Sequence, residues 1–178
     1  MLYTININMI VFILIVVFMR AKMEIFTVSL FGHRKIDDLL KLERQLAPIV
    51  KKLIQTKPYV SFLIGRNGEF DEYSASVIKR VQKEVGKDNS DITLILPYKM
   101  RAIEYYEKYY DSIIIPDSVY GAHPKSAITL KNRWMIERSN LSLFYVKCER
   151  GGAYTAMRYA KKLNKEVVNL CKAERYEE

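Results

Sequence analysis

The chain has 178 residues, enough for one α/β domain, and its 49% hydrophobic and 28% charged residues exclude disordered, collagen-like and low-complexity proteins. Two cysteines and two histidines exclude a disulfide-rich scaffold and disfavour a dedicated zinc site, so we expect neither a metal nor a required cofactor. The formal net charge of +9 favours an anionic partner.

Residues 1–22 differ in composition from the rest of the chain. Residues 9–19 form an unbroken apolar run, marginal in length for a bilayer span, and Arg20 and Lys22 follow it directly. As a membrane anchor, this segment would leave the following domain on the cytoplasmic side. The favoured alternative is that translation starts at Met23 and that residues 1–22 are an over-long gene prediction. We therefore expect a cytoplasmic protein that contacts a membrane only if residues 1–22 are translated.

From residue 24 onward, the pattern predicts alternating strands and helices. Apolar, β-branched segments predict six strands, at residues 24–31, 59–65, 91–97, 112–116, 141–147 and 165–170. Apolar residues at helical spacing predict helices at residues 37–56, 69–85, 100–110, 125–139 and 154–163.

Strands that are almost entirely apolar are typical of a mostly parallel sheet covered on both faces. The predicted fold is therefore α/β: a three-layer, Rossmann-like, doubly wound domain with a mostly parallel sheet of about six strands. This single domain is expected over residues 23–171, followed by a polar tail at 172–178.

Glycines and polar residues follow most of the predicted strands. Ligands of open parallel sheets bind outside the carboxyl ends of the strands, so we expect a ligand crevice at that edge. The candidate ligand-binding residues there are Gly32, His33, Arg34, Gly65, Arg66, Asn67, Gly68, Asp71, Pro97, Gly151, Gly152 and Ala153. Arg133, on the helix before the fifth strand, is expected to reach into the same crevice.

Several of these residues allow two interpretations. Gly151 and Gly152 precede a predicted helix, where free backbone N–H groups favour a bound phosphate over an ordinary turn. Arg34 suits a bidentate phosphate clamp or a surface charge. Asp71 suits a helix cap or a ribose hydroxyl, while His33 is expected to cap or pack rather than act as a general base. The loop between Gly65 and Gly68 is either a simple turn or a further phosphate site.

Taken in order, these motifs resemble the SLOG superfamily, named for the Smf/DprA DNA-processing proteins and the LOG cytokinin-activating enzymes. The motifs are Phe-Gly-His-Arg at 31–34, Ile-Gly-Arg-Asn-Gly-Glu-Phe-Asp at 64–71, Leu-Pro-Tyr at 96–98, Lys-Asn-Arg-Trp-Met-Ile at 131–136 and Gly-Gly-Ala at 151–153. The resemblance covers residues 24–171, with the nearest likeness to the small SLOG proteins of Firmicutes and their phages.

The resemblance implies a Rossmann-like fold with a nucleotide-type crevice. SLOG domains include sensors of messengers related to NAD or ADP-ribose, phosphoribohydrolases that cleave N-glycosidic bonds, and proteins that bind single-stranded DNA. LOG enzymes carry the signature Pro-Gly-Gly-x-Gly-Thr-x-x-Glu, whose glutamate is catalytic. Residues 150–158 keep the glycine pair and Thr155, which joins the candidate ligand-binding residues, but lack the proline, the third glycine and the glutamate.

The main functional hypothesis is the binding or sensing of a nucleotide-derived ligand, either NAD- or ADP-ribose-like or a nucleoside phosphate, without turnover. The alternative is hydrolysis of a nucleotide N-glycosidic bond, for which Glu69 or Asp71 would supply the catalytic carboxylate. A second alternative is single-stranded nucleic-acid binding. The net charge suggests it, as do the tyrosines at 105, 106, 109 and 110, although their helical spacing favours packing. We also expect a homo-oligomer.

Overall fold

The computed structural model describes residues 24–100 and 103–172. Both interpretations of residues 1–22 lie outside these described residues, and so does most of the predicted polar tail. The division into leader, domain and tail therefore stays a prediction. Within the described ranges, no helix combines the length and the apolar character needed to cross a membrane.

Strands and helices alternate along the described part of the chain. The strands are β1 (Ile25–Gly32), β2 (Tyr59–Ile64), β3 (Ser90–Ile95), β4 (Ser112–Ile114), β5 (Leu141–Tyr145) and β6 (Glu166–Asn169). The helices are α1 (Leu39–Thr56), α2 (Glu69–Val85), α3 (Glu104–Glu107), α4 (Pro124–Arg138) and α5 (Gly151–Lys162). A short 3₁₀ turn at Asp117–Val119 precedes α4.

The six strands form one sheet in the order β4-β3-β2-β1-β5-β6, and every neighbouring pair is parallel. The predicted Rossmann-like α/β fold is confirmed, with a sheet that is entirely parallel. Strand β1 lies between β2 and β5, so that Val28 is in register with Phe62 on one side and Leu141 on the other. The strand order reverses at this point, which is where ligands of such sheets bind.

Helices cover both faces of the sheet because successive strand residues point to opposite sides. On one face, the buried stripe of α1 (Leu42, Leu46 and Val50) and the buried face of α2 pack against residues such as Phe62 of the sheet. On the other face, α4 and α5 pack around residues such as Phe144. The carboxyl edge of the sheet remains open between these two layers.

The tyrosine-rich segment differs from its prediction. A helix was expected at 100–110, but α3 is a single turn, Glu104–Glu107. Aromatic side chains lose rotamer freedom in helices, so tertiary contacts decide the backbone of such a segment. Tyr110 is buried and Tyr106 and Tyr109 pack against the same core, as the predicted packing requires, whereas Tyr105 is 73% exposed.

Helix α5 begins earlier than its sequence suggests. The prediction placed its start at residue 154 because Gly151 and Gly152 are poor helix formers. In the structure, both glycines belong to the first turn. The correction matters for function because it brings the helix N-terminus to the edge where a ligand was expected.

Candidate functional site

A crevice of about 350 Å³ opens at the carboxyl edge of the sheet, where the strand order reverses. Its walls come from the segments after β1 and β2, from α4 and from the start of α5. The lining residues are Leu30, Phe31, Gly32, His33, Arg34, Asn67, Gly68, Asp71, Ile128, Lys131, Asn132, Gly151, Gly152 and Ala153.

The N-terminus of α5 forms one wall of this crevice. Arg150 occupies the N-cap position and makes no side-chain capping hydrogen bond. The first-turn residues Gly151, Gly152 and Ala153 line the cavity, and the first N–H groups of a helix have no acceptor inside it. These N–H groups and the helix dipole favour an anion at this position.

Lys131 places a positive charge in the same crevice. It lies on α4 between the buried residues Ala127 and Met135, and it is only 3% exposed. Its side chain lines the cavity, and no hydrogen bond or close ion pair joins its ammonium group to another described residue. A buried ammonium group without hydrogen-bond partners is costly. An anion in the crevice would offset that cost.

Asp71 is the carboxylate that balances Lys131. It is 8% exposed, and its Oδ2 accepts a hydrogen bond of 2.7 Å from the Asn67 N–H. Burial raises the pKa of Asp71, and the charge of Lys131 opposes that rise. Burial likewise lowers the pKa of Lys131, against the charge of Asp71. The two charges therefore depend on each other as long as no ligand is bound.

Gly65 makes room for this buried pair. A Cβ atom at Gly65 would lie 2.7 Å from Lys131 Nζ and 2.9 Å from Asp71 Oδ2, which are both too close for real contacts. Gly65 itself is buried and does not line the crevice. Its role is to let the two head groups approach the end of β2.

His33 and Arg34 stand at the mouth of the crevice. The Nε2 atom of His33 accepts a hydrogen bond of 3.0 Å from the Lys147 N–H, so the ring is neutral and carries its proton on Nδ1. Burial, then the charges of Lys147 and Arg150, lower the pKa of His33. Cys148 Sγ lies 3.7 Å from the same Nε2 atom. Arg34 is exposed, which leaves its guanidinium free to move toward a ligand.

Five predicted ligand-binding residues lie outside the crevice: Gly65, described above, and four others. Arg66 donates to Met100 Sδ and stacks on Tyr106, with 4.8 Å from its Cζ atom to the ring centroid. Pro97 is buried beyond the end of β3. Arg133 is exposed and lies over the Tyr159 ring at 5.0 Å.

The fourth is Thr155, whose hydroxyl donates to the Gly151 carbonyl oxygen at 3.1 Å within α5. Arg66, Arg133 and Thr155 each contact a partner on their own face of the fold, so their part in ligand binding stays a prediction. Arg133 shows the geometry most clearly. It lies two residues after Lys131 on α4, and residues two apart on a helix do not share a face.

Glu69, a candidate catalytic residue, also lies outside the crevice. Its Oε1 accepts from Lys35 Nζ at 3.0 Å, and its Oε2 accepts from the Ile36 N–H at 2.9 Å. The hydrogen bond from Ile36, then that from Lys35, lower the pKa of Glu69, which is the opposite of what a general acid needs. Of the two candidates, only Asp71 lines the crevice.

The sequence reasoning missed Lys131 as a site residue, although a signal for it exists. Ala127, Lys131 and Met135 are spaced by four, so the lysine falls on the buried stripe of its own helix. A charged residue on such a stripe needs a partner. The buried stripe of α4 therefore predicts that Lys131, and not Arg133, points toward the sheet and the crevice.

Comparisons with known proteins agree on the fold. No protein-family model matches the chain, and no curated protein matches its sequence. DNA processing protein A (DprA) from Streptococcus pneumoniae superposes with a TM-score of 0.59 at 12% identity, over 80% of this chain and 49% of that chain. DprA from Helicobacter pylori, a structure described for its single-stranded DNA binding mode, superposes with a TM-score of 0.54 at 13% identity. The superposition covers 80% of this chain and 63% of that chain.

At these identities the likeness shows the fold alone. The structural neighbours are DprA proteins, which is consistent with a SLOG-type fold. This chain spans about half of the first DprA chain and less than two-thirds of the second.

Proposed function

We propose that the crevice binds the phosphate group of a nucleotide-type ligand. The observation that carries this proposal is that two electropositive groups line the same crevice: the uncapped first turn of α5 and the buried ammonium group of Lys131, which has no hydrogen bond to another described residue. Each favours an anion, and we place the phosphate where it can contact both.

The remaining lining residues suit the other parts of a nucleotide. Arg34 at the mouth supplies a mobile guanidinium, which matches phosphate geometry. Asn67 and Asp71 supply the polar groups that hold ribose hydroxyls. The cavity, at about 350 Å³, falls within the size range of small-molecule sites. We further propose that the chain is a SLOG protein, which the fold of its structural neighbours and the order of its motifs both support.

A thermal-shift panel on the full chain tests the proposal. The panel contains AMP, ribose 5-phosphate, NAD, ADP-ribose and cyclic ADP-ribose. A compound present at 100 times its Kd stabilises the folded chain by about 2.7 kcal/mol, which raises the Tm by roughly 5 °C or more. We expect such a shift for at least one phosphate compound and none for adenosine or ribose. Equal shifts with and without the phosphate would contradict the proposal.

Lys131→Met provides the matched test of the charge. A charge-assisted contact contributes about 1.5–3 kcal/mol, so this variant should bind the active compound at least tenfold more weakly. Lys161→Met is the control, because Lys161 is an exposed lysine at the far end of α5. If both variants lose the same affinity, the effect comes from net charge and not from the crevice.

A second candidate function is binding of single-stranded DNA. The net charge of +9 favours it, as does the fold shared with the Helicobacter pylori neighbour, whose structure was described for its single-stranded DNA binding mode. The same phosphate position would then hold one phosphate of a strand. A short oligonucleotide in the same panel separates the two candidates, because affinity for a strand falls steeply as salt rises. A shift with the oligonucleotide alone would replace the free-nucleotide proposal.

A further inference from the structure

A second pocket, of about 220 Å³, opens at the same edge of the sheet, on the side that α1 covers. Its lining residues are Lys41, Tyr145, Val146, Lys147, Cys171 and Lys172. Half of them are lysines, and none has a role in the function proposed above.

Two of these lysines have no acidic partner within the part of the chain that the structure describes. Lys147 is ion-paired with Asp37, with 2.6 Å between Nζ and Oδ2. Lys41 and Lys172 are exposed, and neither ammonium group has an ion pair or a hydrogen bond to the residues in ranges 24–100 and 103–172. Glu149, the acidic residue on the nearby loop, is exposed and forms no ion pair with either of these lysines. The pocket therefore retains a positive charge that an anion can neutralise.

Asn169 fixes the walls of the second pocket. Its Oδ1 accepts hydrogen bonds from the Val146 N–H at 3.1 Å and the Cys171 N–H at 3.2 Å. Its Nδ2 donates to the Val146 carbonyl oxygen at 3.0 Å. These bonds hold the segment after β6 against the end of β5. A site whose walls are fixed before binding loses less conformational entropy when a ligand enters.

A single residue pair joins the two pockets. His33 lines the crevice, Lys147 lines the second pocket, and the Lys147 N–H donates to His33 Nε2 at 3.0 Å. The loop from Lys147 to Arg150 lies between the pockets, and α5 begins directly after it. A molecule that crosses this loop would reach both positive sites.

We propose that the second pocket receives a second phosphate group of the ligand whose first phosphate occupies the crevice. This inference rests on the proposed function and narrows its substrate class to ligands with two separated phosphates. A nucleoside 3′,5′-bisphosphate has that chemistry, and so do two successive phosphates of a single nucleic-acid strand. A nucleoside monophosphate would fill the crevice alone.

Calorimetric titration of the full chain at fixed ionic strength tests this inference. The probes are thymidine 5′-monophosphate, thymidine 3′,5′-bisphosphate and a 5′-phosphorylated decathymidylate. We expect the bisphosphate to bind about tenfold more tightly than the monophosphate, because it gains charge-assisted contacts. The decathymidylate distinguishes the two sources of the second phosphate. If it binds more tightly than the bisphosphate, the ligand is a nucleic-acid strand; if the two bind equally, the ligand is a free bisphosphate.

The double variant Lys41→Ala/Lys172→Ala should lose the gain of the bisphosphate and keep the affinity for the monophosphate. Lys161→Ala/Lys162→Ala is the matched control, since it removes two exposed lysines from the far end of α5. It should change neither affinity. Thermal melting of both double variants should match that of the native chain, because all four lysines are exposed.

Two results overturn the second phosphate site and leave the first intact: equal affinity of the native chain for both thymidine compounds, or the same loss in the control variant as in Lys41→Ala/Lys172→Ala. Failure of all three probes to bind the native chain would also overturn the second site, and it would contradict the proposed function as well if no phosphate compound of the thermal-shift panel binds.

Discussion

The carboxyl edge of the sheet carries two groups of glycines with opposite environments. At Gly32, a Cβ atom would lie 2.1 Å from Phe70 Cγ, and at Gly68 it would lie 2.5 Å from the Arg34 Cα atom. At Gly151 and Gly152, a Cβ atom would meet nothing within 4 Å. The first group consists of glycines because the chain packs tightly there. The second group faces open space at the start of α5.

This difference separates the parts of the edge that hold the fold together from those that can hold a ligand. The packed glycines bring β1 and the segment after β2 into contact with α2, which closes the base of the crevice. The open glycines leave room above free N–H groups. Substitutions should therefore change stability in one group and binding in the other.

Gly32→Ala should have the largest effect of these substitutions. Phe70 is 1% exposed and fills its site, so the added methyl group forces it to move. Overpacking of this kind costs about 3 kcal/mol, which lowers the Tm by roughly 6–12 °C. Thermal or urea unfolding measures this loss of stability. The pair Gly32→Ala/Phe70→Ala should lose less stability than the sum of the single variants, because alanine at 70 removes the Cγ and Cδ2 atoms of the overlap, and strict additivity would contradict the contact.

Gly152→Ala should have a smaller effect, and on binding rather than on stability. Alanine forms helices better than glycine, so the free energy of unfolding should stay level or rise by up to about 1 kcal/mol. The methyl group enters the space above the first turn of α5, where we place the phosphate. The Kd of the active compound should rise severalfold, by about 1 kcal/mol in binding free energy. A large loss of stability would show that this glycine is packed after all.

Gly151 is unsuitable for the same test. Its φ angle of +87° is in a region that residues with a side chain rarely adopt. An alanine there is strained even though space is open, so stability and binding would change together. Gly152 does not have a positive φ angle, so a substitution there changes ligand binding without adding backbone strain.

The pH dependence of binding should show the smallest effect. Because burial lowers the pKa of Lys131, its charge is lost as pH rises through a range below that of an ordinary lysine. Affinity for a phosphate compound should therefore fall as pH rises toward the ordinary lysine pKa of about 10.4, by less than about tenfold. His33 does not contribute to this fall, since burial lowers its pKa from 6.5. Lys131→Arg should flatten the profile, and an unchanged profile in that variant would assign the effect to another group.

The sequence predicted the fold well and the site in part. Nearly continuous apolar strands determine a parallel sheet, so six strands and their flanking helices followed from the pattern. The strand order did not follow from it, because crossover direction depends on packing between elements distant in sequence. Only the structure shows that the segments after β1 and β5 are neighbours.

The crevice shows the same limit at the level of single residues. Gly32, Gly65 and Gly152 look alike in sequence, since each follows a strand, yet one packs on Phe70, one makes room for Lys131 and one is open. Propensity also placed the start of α5 too late. Free N–H groups at this helix start were expected from the sequence, and the structure adds that Gly151 and Gly152 belong to the first turn itself.

The most direct test of the phosphate site is an amide titration of the ¹⁵N-labelled full chain with inorganic phosphate, followed by two-dimensional NMR. We expect saturable shifts of the Gly151, Gly152 and Ala153 amide signals, because these N–H groups would donate to the bound anion. We also expect that Lys131→Met abolishes those shifts while the rest of the spectrum remains native. Shifts confined to exposed lysine segments such as Lys161 and Lys162, or shifts that persist in Lys131→Met, would contradict the phosphate site.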